Sequence, residues 1–192
     1  MASATTIVIG GGVIGLSTAY QLARKKSGRV ILLEKGQVGD GSSSRAGGII
    51  TGHLWSETGV LARKISLALY RELSDDLPGY RFGDVGCLNL FDSSSWRERL
   101  PLLPLYDRLN VPYEILKAAE MHSRWHELTP AEGDIGLFDP LGGYSEPEEY
   151  IPALAQRCRQ LGVEIREGQQ VTGFVLRNGR VTGVTTANET IE

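Results

Sequence analysis

Residues Ile7-Val8-Ile9-Gly10-Gly11-Gly12-Val13-Ile14-Gly15, with Glu34 nineteen positions further on, decide how this chain folds. Thr5 to Ile9 is short, β-branched and apolar, and three glycines end it, which predicts a buried strand. Val13 to Lys26 follows as a helix, with Ile14, Leu16, Ala19, Leu22 and Ala23 on an apolar stripe. Lys25 and Lys26 suit the negative end of that helix, and Gly28 suits a left-handed cap. Arg29 to Glu34 returns as a second strand. Its Val-Ile-Leu-Leu run is continuous rather than alternating, as expected of a strand covered on both faces of a parallel sheet.

Gly10-x-Gly12-x-x-Gly15 therefore sits where a strand gives way to a helix, and an acidic residue closes the next strand. That context separates a dinucleotide fingerprint from a chance glycine turn beside a surface glutamate. Gly10 permits the tight turn, Gly12 lets the backbone approach a pyrophosphate, and Gly15 lets the helix pack closely on the sheet. The pyrophosphate then faces unpaired N–H groups at the positive end of the helix. Glu34 is placed to accept hydrogen bonds from the adenosine ribose, and its charge argues against a 2′-phosphate. The fingerprint leaves NAD and FAD both open. The next loop, Gly41-Ser42-Ser43-Ser44-Arg45-Ala46-Gly47-Gly48-Ile49, carries small and hydroxyl side chains suited to a second phosphate and a flavin edge. A flexible surface loop is the competing reading.

Further along, Val60 to Leu73 reads as a helix stopped by Pro78-Gly79, and Gly83 to Phe91 as a strand. Ser95-Trp96-Arg97-Glu98 has the form of a capping box, with Pro101 and Pro104 interrupting the helix it opens. Val111 to Leu128 reads as a strand and then a short helix. Pro147 suits the first turn of a helix whose stripe is Ile151, Leu154, Ala155, Cys158 and Leu161, closed by Gly162. Val163 to Arg166 is a strand, and Gly173 to Val184 a hairpin about Asn178-Gly179. The chain reaches Glu192 on the approach to another strand.

The chain has 192 residues, a 41% apolar share and a net charge of −3, which suits a globular protein and not a nucleic-acid partner. The densest basic groups are only Arg24-Lys25-Lys26 and Arg97-Glu98-Arg99. No apolar stretch is long enough for a transmembrane segment, and Met1-Ala2-Ser3-Ala4 lacks the basic start of a signal peptide. Cys87 and Cys158 lie far apart, which suits a reduced, cytoplasmic setting. His122 and His126 have metal-ligand spacing on a helix but no convincing third ligand, so no metal is expected. His53, just beyond the glycine loop, is a candidate to approach a flavin. Trp55, Trp96 and Trp125 read as packing residues.

On the run Ile7 to Ala23, then Leu33-Glu34-Lys35, Gly41-Ser42-Ser43 and Ala46-Gly47-Gly48-Ile49, the sequence resembles the D-amino-acid oxidase family. Glycine oxidase and the sarcosine and dimethylglycine dehydrogenases belong to that family. Glu146-Pro147, Leu161 to Ile165 and Val171 extend the likeness towards the other end. The resemblance implies that Val13 and Ile14 offer backbone at the pyrophosphate, that Glu34 and Lys35 hold the adenosine, and that Val171 lies against the adenine. It also implies that Ser42 and Ser43 reach phosphate and that Gly47, Gly48 and Ile49 line the flavin. Some members attach the flavin through a histidine at the position of Arg45; arginine cannot form that bond, so non-covalent FAD is expected. Arg45 would instead neutralise phosphate or favour negative charge on the reduced flavin.

The expected fold is α/β, a Rossmann-like FAD domain with a parallel sheet, built from residues 1–50 and 147–192. Residues 51–146 would form an inserted, mainly helical and incomplete part of a substrate lobe. By resemblance, the function is oxidation of an amino acid or secondary amine by hydride transfer from Cα to flavin N5, giving an imine that water hydrolyses. Family members are longer, so the chain is expected to be a fragment, a split-gene product or a subunit needing a second polypeptide. A non-catalytic nucleotide-binding subunit or remnant and an NAD-dependent dehydrogenase are the alternatives.

Overall fold

The computed structural model describes residues 5–192, so the reading of Met1 to Ala4 lies outside the described residues. Strand β1 (Thr5–Ile9), helix α1 (Val13–Arg24) and strand β2 (Arg29–Leu33) come first. Then follow β3 (Ile49–Ile50), α2 (Glu57–Asp76), β4 (Cys87–Phe91), α3 (Ser93–Arg99), α4 (Leu103–Arg108) and β5 (Glu114–Lys117). Next are α5 (Ala118–Arg124), β6 (Ile135–Asp139), β7 (Gly143–Tyr144) and α6 (Pro147–Gln160). After α6 come β8 (Glu164–Arg166), β9 (Val171–Arg177), β10 (Arg180–Thr186) and β11 (Thr190–Ile191).

Contacts divide these elements into two units. The first holds residues 5–47, 77–80 and 146–192; the second holds 48–76 and 81–145. The division therefore falls a few residues before 50/51, because Ile49 and Ile50 of β3 pair with Tyr144 and Gly143 of β7 inside the second unit.

In the first unit, β2 runs between β1 and β8 in a parallel sheet, with Ile31 opposite both Ile7 and Glu164. Val30, Ile31, Leu32 and Leu33 are all 2% exposed or less, as the unbroken apolar run requires. Alternation sends Ile31 and Leu33 to one face, where they pack with Val184 and Ile191 of the antiparallel sheet β9-β10-β11. Val30 and Leu32 face the other way. Helices α1 and α6 pack on each other, the Cys158 thiol reaching the Leu16 carbonyl at 3.5 Å. Each of these buried aliphatic side chains contributes roughly 1.5–3 kcal/mol. The exposed Arg29–Glu164 pair at 2.6 Å, joining β2 to β8, belongs to a class worth at most about 1 kcal/mol. Apolar burial thus decides the stability of this sheet.

Local signals set the ends of its elements. Pro147 occupies the first turn of α6, and Gly162 beyond that helix has φ +86°. Pro152 falls within α6 on its exposed side, where water can take the carbonyl that lacks an N–H partner. Asn178 and Gly179 both have positive φ, 51° and 73°, in the turn that joins β9 to β10.

The second unit carries the helices α2 to α5 together with strands. An antiparallel sheet of order β4-β6-β5 runs through it. The strand β6 is hidden in the sequence by Gly136, whose lack of a side chain is needed: a Cβ there would come 2.9 Å from Leu88 Cδ1 and crowd the Met121 sulfur. Helix α3 is capped by Asp92 rather than by Ser95. The Asp92 Oδ1 accepts from the Ser95 and Ser94 amides at 2.8 and 3.0 Å, and the Ser95 amide together with both serine hydroxyls holds its carboxyl well below the usual range. Helix α3 ends at Arg99, and Pro101 and Pro104 each fall in the first turn of the short helical segment that follows, so the prolines divide this stretch as expected. Val60, Phe91, Leu103, Tyr106, Val111 and Leu137 form the core.

Leu32→Ala is expected to lower the unfolding free energy of the first unit by about 2–5 kcal/mol in urea titration, whereas Arg29→Ala should cost no more than about 1 kcal/mol.

Candidate nucleotide-binding site

The site begins where β1 ends. Gly10 turns the chain with φ +102°, and its amide donates to the Leu33 carbonyl at 2.8 Å, tying the turn to β2. Helix α1 then starts with Gly12 at its N-cap, no side-chain cap and no acidic residue in the first turn. Its positive end is therefore not neutralised by any carboxylate of its own. Gly15 permits this path, because a Cβ there would collide with the Gly10 carbonyl and would lie 3.5 Å from Val8 Cγ1.

Ser43, on a 3₁₀ turn at Ser42–Arg45, lays its hydroxyl on this helix start and accepts from the Val13 amide at 2.9 Å. A Cβ on Gly12 would stand 3.0 Å from that hydroxyl, so glycine keeps the space in front of the helix open. The resulting crevice is about 640 Å³, bounded by Gly10, Gly12, Gly15, Thr18, Ser43 and Ala46. Such a cradle fits the pyrophosphate of a dinucleotide: bare amides, a hydroxyl and glycines at the positive end of a helix.

Glu34 lies beside the glycine turn. Its Oε2 accepts from the Gly11 amide at 2.6 Å and its Oε1 from the Gly36 amide at 2.9 Å. Each oxygen keeps a lone pair for a ribose hydroxyl. Gly11 is required by this contact, since a Cβ would come 3.1 Å from Glu34 Cβ and Cγ. Sequence reading passed over Gly11, Gly36 and Thr18, and also Gly39, whose amide donates to the Gly11 carbonyl at 3.1 Å. The middle glycine of the Gly10-Gly11-Gly12 run, beyond what the fingerprint needs, was the available signal.

Of the residues singled out from sequence, Gly10, Gly12, Val13, Ile14, Gly15, Ser42, Ser43 and Ala46 share the one crevice. Ile14 does not lie on the buried stripe of α1; it is 81% exposed, in the first turn at the crevice wall. Lys35, Arg45 and Gly47 are exposed. Gly48 and Ile49 belong to the second unit. Val171 packs its side chain against the cluster of Ile31, Leu33, Val184 and Ile191 between the two sheets.

In the second unit, His53 is 2% exposed, stacks on Tyr106 at 5.1 Å and donates from Nε2 to the Pro112 carbonyl at 3.0 Å. Burial pushes its pKa below the usual 6.5. His122 and His126 lie edge to face at 6.0 Å, and His122 Nδ1 bonds the Leu128 carbonyl. No group of three metal-ligating side chains occurs among the described residues. Trp96 packs on Phe91 and Trp125 on Phe138, while Trp55 covers the Arg99 guanidinium at 3.7 Å. Cys87 and Cys158 are free thiols. Among the described residues no helix is long and apolar enough to cross a membrane.

A strand–helix–strand unit with a glycine turn, a helix start without acidic residues and an acidic residue just after the second strand defines a dinucleotide-binding α/β protein. Residues 5–192 match the FAD dependent oxidoreductase family (DAO), and the chain belongs to it. FAD, rather than NAD, is the cofactor of that family. Sarcosine oxidase subunit beta of Arthrobacter sp is 29% identical over 197 residues, covering 96% of this chain and 48% of that protein. The mitochondrial pyruvate dehydrogenase phosphatase regulatory subunit of Mus musculus is 29% identical over 199 residues, 100% of this chain and 22% of that protein. The crystal structure of L-proline dehydrogenase from P. horikoshii superposes with a TM-score of 0.90 at 27% identity, covering 99% of this chain and 50% of that one. The chain thus spans half or less of the length of each of these three relatives.

Because His53 is held neutral, the unfolded chain takes up its proton first as pH falls below 6.5. Stability is expected to be full above that value and to decline below it. His53→Gln should flatten this part of the curve, read as urea midpoints between about pH 5 and 7.5.

Proposed function

We propose that this chain supplies the dinucleotide-holding part of a flavoenzyme that oxidises an amino acid or a secondary amine. The observation that carries the reading is the start of α1, which has no acidic residue in its first turn and has the Ser43 hydroxyl resting on the Val13 amide. Gly10, Gly12, Val13, Ile14 and Gly15 would hold the pyrophosphate, assisted by Ser42, Ser43 and Ala46. Glu34, oriented by the Gly11 and Gly36 amides, would take the ribose hydroxyls, with Lys35 and Val171 at the adenosine. Arg45, Gly47, Gly48 and Ile49 would meet the flavin. Arg45 offers no nucleophile, so the flavin would be held without a covalent bond. When bound, FAD supplies the two-electron oxidation, with hydride leaving the substrate Cα for flavin N5.

Support for the substrate class comes from relatives named for sarcosine and L-proline, both of them amino acids with a secondary amine. The share of those relatives that the chain spans supports a requirement for further polypeptide before turnover. A second reading is favoured by the match of the whole chain to a phosphatase regulatory subunit: a nucleotide-binding subunit without turnover of its own.

The test mixes purified chain with FAD, removes excess by gel filtration and records the visible spectrum. A retained flavin band is expected, together with its loss in Gly12→Val, whose side chain would fill the space before Ser43. A band retained equally by both proteins would overturn the placement. In a full-length protein containing this chain, bleaching of the band by sarcosine or L-proline under anaerobic conditions is expected. A persistent band would favour the regulatory reading.

A further inference from the structure

Residues 36–47 carry Ser43 to the start of α1, and apart from the short turn at Ser42–Arg45 they form no helix or strand. Most of them are exposed, so little apolar burial fixes their path. Their backbone is nevertheless tied at several points, all inside the first unit. The Gly36 carbonyl accepts from the Gly168 amide at 3.0 Å, and the Gln37 amide donates to Asp40 Oδ2 at 2.8 Å. The Val38 amide donates to Glu167 Oε1 at 2.8 Å. The Gly39 amide donates to the Gly11 carbonyl at 3.1 Å, and the Gly39 carbonyl accepts from the Ser44 amide at 3.2 Å. Gly39 is buried with φ +89°, and a Cβ there would stand 2.9 Å from Ile151 Cγ2 of α6. It thus lies between α6 and the glycine turn, shortly before Ser43.

Among these bonds, only that of Glu167 comes from a side chain distant in sequence, 129 residues from Val38. Glu167 follows β8 directly, and the backbone around it is fixed. The Arg166 carbonyl accepts from the Glu34 amide at 3.0 Å, and the Gln169 amide donates to the Glu34 carbonyl at 2.8 Å. Arg159 of α6 holds the other carboxylate oxygen, Oε2, at 3.3 Å, which turns Oε1 towards Val38. The two side chains are 49% and 40% exposed, so their ion pair adds little to stability. What the carboxylate does supply is a fixed acceptor for a loop amide that no helix or strand satisfies.

We propose that Glu167 is a positioning residue: by holding the Val38 amide it sets the path of residues 36–43 and keeps the Ser43 hydroxyl on the Val13 amide. The cradle at the start of α1 is then assembled before a dinucleotide arrives, which lowers the ordering cost of binding. Glu167 is not among the residues that line the crevice; it acts through the loop backbone. The consequence for FAD rests on the cofactor reading given above, whereas the effect on the loop does not.

The test compares the unsubstituted chain with Glu167→Ala and Glu167→Gln by hydrogen exchange and by FAD retained after gel filtration. Val13 supplies the decisive readout. As the first residue of α1 it has no intrahelical acceptor for its amide, so exchange there reports whether Ser43 is in place. Glu167→Ala removes the acceptor, while Glu167→Gln keeps an oxygen that can accept from Val38. In Glu167→Ala, exchange at Val38 and Val13 is expected to quicken about fivefold, as loss of one hydrogen bond implies, with β2 and α6 unchanged. FAD retention should fall in parallel, and Glu167→Gln should restore both. Unchanged exchange at Val13 in Glu167→Ala would overturn the positioning role. So would exchange that rises equally in β2 and α6, or Glu167→Gln behaving as Glu167→Ala does. Quickened exchange at Val13 with FAD retention unaltered would overturn the link to binding. If the unsubstituted chain retains no FAD, the cofactor reading fails and the link to binding with it, while exchange at Val13 still decides whether Glu167 places Ser43.

Discussion

Helix α1 passes so close to the end of β1 that only a hydrogen atom fits between Gly15 and the Gly10 carbonyl, and the rest of the first unit depends on that approach. It brings the start of the helix directly after the sheet edge, with Gly12 at its cap and no acidic side chain in its first turn. The Ser43 hydroxyl then finds Val13, and the Glu34 carboxylate finds Gly11. A side chain at any of Gly11, Gly12 or Gly15 would disturb one of these contacts. Glycines, hydroxyls and apolar side chains line the crevice, so its fit to a pyrophosphate rests on backbone geometry.

The two units use burial in opposite ways. In the first, β2 is buried by aliphatic side chains on both faces, and its exposed ion pair with β8 adds little. In the second, a conventional apolar core around Tyr106 and Leu137 coexists with buried Asp139 and Arg99. Such groups are poor stabilisers but strong selectors of one backbone conformation.

Membership of the FAD-dependent oxidoreductase family points to FAD, a choice that the glycine fingerprint could not make. The serine-glycine loop pointed the same way, and Ser42, Ser43 and Ala46 do line the crevice with the fingerprint residues. The relatives act under different names, from sarcosine oxidase to a phosphatase regulatory subunit, over the same stretch of chain. A shared cofactor-binding part is compatible with both, since function is set by what is joined to it.

The strand–turn–helix–strand order at the start, helix α6 with its proline and glycine ends, and the Asn178-Gly179 hairpin were all legible in the sequence. Each is decided by residues a few positions apart, through periodicity, turn chemistry and capping. Strand β6 was not legible, because Gly136 is chosen by Met121 and Leu88 from other elements. Nor was the exposure of Ile14, the placing of Val171 between two sheets, or the burial of Arg99 beneath Trp55. The sequence by itself determined the glycine turn into a helix that is proposed to receive the dinucleotide, because such a turn is a local object. Only the tertiary structure decided which groups hold that object and its neighbouring loop in place, because Glu34, Ser43 and Asp139 reach partners 23, 30 and 87 residues away, and such pairs exist only once the chain is packed.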